Sequence, residues 1–178
     1  TGGFLQGVGV ARFNAGDLLK IALSWHTPPG EFIQTLTVPP DPSKGVWPIE
    51  NIYNYQKPTK QLDIGDIDRD GDIDIFFVGN TGGGNLEWLR NEGGRDWRPI
   101  AYFSGAGNRS HRCVLADINR DGRLDGVVGH YREDPGYVAW YEQPPSPTSR
   151  WTEHVIARPP EVNGPMSLGV ADMDRDGD

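Results

Sequence analysis

Leu62, Asp63, Ile64, Gly65, Asp66, Ile67, Asp68, Arg69, Asp70, Gly71, Asp72, Ile73 and Asp74 form the stretch on which the reading of this chain turns. Carboxylates alternate with other residues at Asp66, Asp68 and Asp70, a glycine follows at Gly71, and Asp74 closes the run. Asp and Gly are ordinary turn residues, so one such run could be no more than a solvated acidic turn. The run is not single. Val114 to Asp125 and Leu168 to Asp178 repeat it, and their glycines Gly71, Gly122 and Gly177 fall 51 and 55 residues apart. A weaker copy, Val8 to Leu23, places Gly16 55 residues before Gly71. On that alignment Ala11, Phe13 and Ala15 stand where the acids stand elsewhere, so the first repeat is read as lacking the site.

Working outward, the rest of each repeat recurs too. Trp88 matches Trp140, and Trp47, Trp97 and Trp151 each precede Ile52, Tyr102 and Ile156 by five residues. Trp47, Trp97, Trp140 and Trp151 are read as packing between repeats. Short apolar or alternating runs at Ile73–Val78, Leu86–Leu89, Gly126–Val128, Tyr137–Tyr141 and Trp151–Ile156 carry β-branched and aromatic residues, with Gly- and Pro-rich turns between them. No window has the i, i+3, i+4, i+7 spacing of a helix. Four short strands in a unit of about 50 residues is the pattern of a propeller blade. The expected fold is therefore all-β: blades of four antiparallel strands, with the Asp-rich loop joining the two inner strands. Residues 1–178 are read as one propeller domain or fragment, with repeats at about 5–56, 60–107, 111–160 and 165–178. That is three blades and the start of a fourth, belonging to a ring of roughly seven. The chain opens on Thr1 and stops at Asp178 inside a repeat. The expectation is a fragment of a longer chain, or a ring or stack completed by neighbouring copies through open blade edges.

The spacing of the acidic loops predicts metal sites. Ca2+ takes six to eight oxygens, and alternate carboxylates in a tight loop supply them. The expected ligands are the side chains of Asp66, Asp68, Asp70 and Asp74 with the carbonyl of Asp72. Next come Asp117, Asn119, Asp121 and Asp125 with the carbonyl of Arg123, then Asp172, Asp174 and Asp176 with the carbonyl of Asp178. An EF-hand is excluded, because its bidentate Glu at position twelve is replaced by Phe77 or Val128 in strand-like runs. Crowded carboxylates repel one another without a counter-charge. Three Ca2+ ions would bring the formal charge from −8 to −2.

Composition excludes several classes. A net charge of −8 argues against a nucleic-acid partner. The single cysteine, Cys113, rules out an internal disulfide framework and is read as a buried thiol. No stretch is long and apolar enough to suggest a membrane span in this segment.

These residues resemble the FG-GAP/VCBS repeat family, whose Asp-x-Asp-x-Asp-Gly-x-x-Asp loops join the inner strands of propeller blades. The resemblance is specific at Asp66–Asp74 and Asp117–Asp125, truncated at Asp172–Asp178 and degenerate at Ala11–Lys20. It implies a secreted or cell-surface, calcium-loaded propeller. Similar blades occur in integrin α-subunit heads, fungal propeller lectins, some polysaccharide lyases, an aldos-2-ulose dehydratase and many bacterial surface proteins. In such a blade the connections opposite the metal loops form an upper face. Trp25, His26, His111, His130 and Arg132 fall there as candidate ligand-binding residues, and Asn108 heads a glycosylation sequon. The expected function is non-catalytic: adhesion, glycan recognition or self-assembly, with a carbohydrate or cell-surface protein as partner. The alternatives are a carbohydrate-active lyase or dehydratase using His111 and His130, and a structural fibre subunit.

Overall fold

A computed structural model describes residues 3–26, 32–54, 59–79, 86–94, 96–100, 110–131 and 136–173. Among them are twelve strands and no helix. They form three four-stranded antiparallel sheets, each wound in chain order. The first holds β1 (Phe4–Ala11), β2 (Lys20–His26), β3 (Phe32–Thr37) and β4 (Ile49–Asn54). The second holds β5 (Thr59–Gly65), β6 (Asp74–Gly79), β7 (Leu86–Glu92) and β8 (Asp96–Ile100). The third holds β9 (Ser110–Ala116), β10 (Asp125–His130), β11 (Tyr137–Glu142) and β12 (Thr152–Ala157). Among the described residues no helix is long and apolar enough to cross a membrane.

The sheets stack through their first strands, β1 on β5 and β5 on β9. The middle sheet is therefore covered on both faces, which explains why β6 reads as an unbroken apolar run instead of an alternating one. Successive side chains still point to opposite faces. Ile75 and Phe77 enter a core with Phe13, Ala22, Ile33, Leu62 and Leu89 of the first and second sheets. Phe76 and Val78 enter the opposite core with Trp88, Cys113, Val128, Tyr141 and Trp151. Fully burying one such side chain is worth about 1.5–3 kcal/mol.

Small residues let the sheets approach. A Cβ on Gly7 of β1 would lie 2.6 Å from the backbone nitrogen of Leu62, and one on Gly126 of β10 would lie 2.6 Å from the Phe76 ring. The tryptophans fill the space left. Trp151 stacks on Phe76 at 6.1 Å, and Trp97 meets Phe13 edge-on at 5.6 Å. Trp47 and Trp151 play matching parts in their sheets, donating to the carbonyls of Pro42 and Pro147 at 3.3 and 2.9 Å. Polar ties join the inner strands of neighbouring sheets as well, with Leu115 N–H donating to Asp63 at 2.7 Å. Cys113 is fully buried, and burial pushes its thiol well above the usual range.

Residues 158–173 carry no strand. Pro165 and Leu168 nevertheless lie over Gly129 of the third sheet, where they would meet a Cβ at 2.9 and 3.4 Å.

Candidate metal centre

The acidic loops join the first and second strands of their sheets. Gly65 pairs with Asp74 across one, and Ala116 pairs with Asp125 across the other. Both loops follow the same backbone path. Arg69 and Gly71 have φ of 63° and 94°, and Arg120 and Gly122 have 60° and 82°. Glycine enters this left-handed region freely, whereas an arginine there costs about 1 kcal/mol or more.

The carboxylates hold that path by accepting backbone N–H groups. Asp66 Oδ2 accepts from Gly71 at 3.1 Å, Asp68 from Asp70 at 3.3 Å, and Asp70 from Asp72 at 2.9 Å. In the next loop Asp117 accepts from Asp121 and Gly122 at 3.0 and 2.7 Å, and Asp121 accepts from Arg123 at 2.9 Å. Asn119 also accepts from Asp121, at 3.1 Å. The Asp72 side chain leaves its loop and accepts from Gly93, bracing the β7–β8 turn.

Asp74 and Asp125 close the loops as matched locks. Asp74 takes the N–H of Ile67 at 3.1 Å and of Asn91 at 2.8 Å, and Asp125 takes those of Ile118 at 3.1 Å and Gln143 at 2.8 Å. Burial pushes the Asp74 carboxyl up to about 7, against the pull of its two N–H partners. Asp125 is raised too, again chiefly by burial. The residues receiving these locks reach back to the preceding sheet. Asn91 donates to the Phe13 carbonyl at 3.2 Å, and Gln143 donates to the Ile67 carbonyl at 2.8 Å. Nothing in the motif pointed to Asn91 or Gln143, which lie 17 and 18 residues beyond their aspartates.

Carboxylate oxygens of Asp66, Asp68 and Asp74 lie within 4.8 Å of one another. Asp66 Oδ1 is buried and has no hydrogen-bond partner among the described residues. An orphaned acceptor beside two further carboxylates fits a cation, and an all-oxygen donor set suits a hard one such as Ca2+. Burial raises Asp68, whereas the neighbouring Arg90 draws it down. Arg90 Nε lies 2.5 Å from Asp68 Oδ2, too bent for a hydrogen bond, and Nη2 lies 3.4 Å from Asp70. The matching place in the third sheet is taken by Glu142, which accepts from Asn119 at 3.2 Å and lies 2.8 Å from His154 Nε2. Arg123 pairs there with Asp121.

Residues 66–128 match the FG-GAP-like repeat. The FG-GAP-like segment opens on Asp66 and closes inside β10, so it takes in both acidic loops and the strands β6 to β9 between them. Comparison of the chain with curated proteins returns no match.

Outside that segment the expectations need correction. Ala11 pairs with Lys20 as Gly65 pairs with Asp74, so the first loop is offset by one residue from the alignment on Gly16. Arg12, Asn14, Gly16 and Lys20 occupy the places of Asp66, Asp68, Asp70 and Asp74, not Ala11, Phe13 and Ala15. Phe13 is a core residue, 1% exposed. The first loop thus carries cations at two positions where the others carry acids. Arg12 donates to the Asp17 carbonyl at 2.5 Å, and Lys20 Nζ lies 3.7 Å from the Asp17 carboxylate. Asp172 is exposed and borders a cleft of about 490 Å³ with Asp117, Asn119 and Val170. Asp174, Asp176 and Asp178 lie outside the described residues.

The upper-face candidates do not form one cluster. Trp25 and His26 end β2 in the first sheet, paired with Leu5 and Phe4. Trp25 is half-buried within the strand, not displayed on a loop as expected, and its carbonyl accepts from Thr59 at 3.0 Å. His111 lies in β9 of the third sheet, half-buried against the Tyr131 ring at 5.2 Å. His130 ends β10, as expected, but its side chain is enclosed and not displayed: it is 1% exposed and stacks on Tyr137 at 4.2 Å. Tyr137 and Tyr141 both donate to Glu153 Oε1 at 2.9 Å. With its proton so committed, the Tyr141 oxygen accepts from His130 Nε2 at 3.0 Å, which leaves Nδ1 facing the Ser110 hydroxyl at 3.4 Å. Burial pushes His130 down to about 4. Arg132 and Asn108 lie outside the described residues.

Proposed function

We propose that this chain is a calcium-stabilised set of propeller blades, acting outside the cell as a non-catalytic scaffold for adhesion, glycan recognition or self-assembly. The observation that carries the reading is the convergence of Asp66, Asp68 and Asp74 around a buried, unpartnered oxygen. The FG-GAP-like match and the stacking of successive sheets through their first strands support blades of a propeller. The first ion would be held by Asp66, Asp68, Asp70 and Asp74 with the Asp72 carbonyl. The second would be held by Asp117, Asn119, Asp121 and Asp125 with the Arg123 carbonyl, and a third would start from Asp172. Bound Ca2+ supplies positive charge that neutralises the crowded acids. The chain's own part is to hold the loop open with backbone N–H bonds and to anchor it through Asp74 and Asp125.

Partly exposed loops with no Glu at position twelve suit the millimolar calcium found outside cells. The first sheet's outward face exposes Leu5 at 47% and Val8 and Val10 at 53% each, an apolar surface that a further blade or a neighbouring copy would cover. A carbohydrate or cell-surface protein would use the opposite end, at Trp25 and His26 of the first sheet or at His111 of the third. The enzymatic alternative loses ground because His130, one of its two histidines, is enclosed by Tyr137, Tyr141 and Ser110.

Thermal unfolding in excess EDTA and in millimolar Ca2+ tests the reading. At a hundredfold excess over Kd a ligand adds about 2.7 kcal/mol, so calcium should raise Tm by roughly 5–10 °C. An unchanged Tm overturns it.

A further inference from the structure

In the second sheet, the cation closest to the loop carboxylates is one the protein carries itself. Arg90 sits in β7 immediately before Asn91, whose N–H is held by Asp74. That anchor brings the guanidinium to 2.5 Å from Asp68 and 3.4 Å from Asp70, with Glu92 on its other side at 3.6 Å. The Asp68 side chain is 9% exposed and that of Arg90 29%, so solvent screens the pair only in part. The third sheet reverses the sign. Glu142 stands immediately before Gln143, whose N–H is held by Asp125, and its carboxylate meets Asn119. Arg123 is an incomplete counterpart of Arg90: it reaches only the outer Asp121, and its Nε is committed to the Gln143 carbonyl at 2.9 Å. The first sheet carries the substitution further, with Arg12 and Lys20 in the places of Asp66 and Asp74.

Resting on the calcium reading above, we infer that Arg90 is a tethered counter-ion that competes with calcium for Asp68 and Asp70. The loop at Asp66–Asp74 is then the weaker site, and the loop at Asp117–Asp125, with Glu142 beside it, the stronger. A guanidinium can neutralise carboxylates but has no lone pair to share with a metal, and its charge repels a second cation brought to the same carboxylates. An ion arriving at the carboxylate oxygens that Arg90 faces pushes the guanidinium away, and Glu92 offers the released side chain a partner already within reach. Arg90 would thereby support the loop when calcium is scarce and weaken its hold on calcium when it is plentiful.

Hydrogen exchange across a calcium titration of the whole chain reads each loop separately. The protection midpoint of residues 66–74 should lie above that of residues 117–125. Arg90→Gln should lower the first midpoint about tenfold, the scale of a partly screened ion pair, and leave the second in place. The same variant should speed exchange of residues 66–74 in EDTA. Opposite signs with and without calcium distinguish a competing counter-ion from a merely structural arginine, whose loss would weaken both states. Arg90→Lys, which keeps the charge but not the planar fork, should shift the midpoint less, and it serves if Gln disturbs folding. Glu142→Gln should raise only the midpoint of residues 117–125. Calcium protection in both loops with midpoints unmoved by Arg90→Gln overturns the role of Arg90 alone. No calcium-dependent protection in wild type or variant overturns the calcium reading and this inference with it.

Discussion

The second and third sheets have the same strand order, loop backbone and aspartate lock, yet their surroundings differ at two points. Beside the loop, Arg90 in the second sheet becomes Glu142 in the third. At the end of the second strand, Gly79 becomes His130, and with it comes the buried network of Tyr137, Tyr141, Ser110 and Glu153. The motif sets the shape of the loop, while residues brought in from β7 or β11 set its electrostatic character. The loops should therefore respond alike to changes inside the motif and differently to changes outside it.

The largest shared effect is expected at the locks. Asp74→Ala strands two buried N–H groups and Asp125→Ala one buried and one part-buried, each buried one costing about 1–3 kcal/mol. Denaturant unfolding in EDTA should show a loss of about 3–5 kcal/mol for either variant. A loss below about 1 kcal/mol in one sheet only would break the equivalence.

The next effect separates the sheets by pH. The folded-state value of His130, about 4, lies below its ordinary 6.5, so its neutral form is the one the fold accepts. Its contribution is complete above pH 6.5 and is lost as pH falls towards 4, up to about 3 kcal/mol in total. Asp74 slopes the other way: raised to about 7, it favours the fold increasingly as pH falls. Wild type minus His130→Gln, measured in EDTA, isolates the histidine. A flat difference curve between pH 7 and 4 would remove the third sheet's distinction.

The smallest effect tests the shared backbone. Gly71→Ala and Gly122→Ala force alanine to φ of 94° and 82°, for about 1 kcal/mol each. Gly122→Ala should cost slightly more, since its Cβ would come 3.1 Å from the Arg69 guanidinium. No loss of stability with alanine at either glycine would mean that the left-handed turn is dispensable.

Much of this could be read in advance. Alternating acids, a glycine and apolar runs are local signals, and repetition separates them from chance, so the two full loops and the strands around them were legible. Of the tryptophans read as packing between repeats, Trp151 and Trp97 do pack between sheets, whereas Trp140 stacks on His154 of its own sheet. The first loop was misaligned because Gly16 looked equivalent to Gly71, whereas strand pairing sets the register through Ala11 and Lys20. The strand-end place of His130 was legible but its burial was not, because polar residues at strand ends usually border exposed turns, and its partners come from β9, β11 and β12. Arg90 and Glu142 carry no motif of their own and become visible only when β7 and β11 lie beside the loops.

The chain's order of residues by itself determined the repeat length, the all-β class and which carboxylates share a loop, because these follow from spacing along one strand of polymer. Tertiary structure alone decided which carboxylate faces an arginine and which a glutamate, which histidine is sealed from water, and where the first loop begins. Those outcomes depend on charges and N–H groups brought together from distant positions, and their energies arise only once the sheets have stacked and excluded solvent.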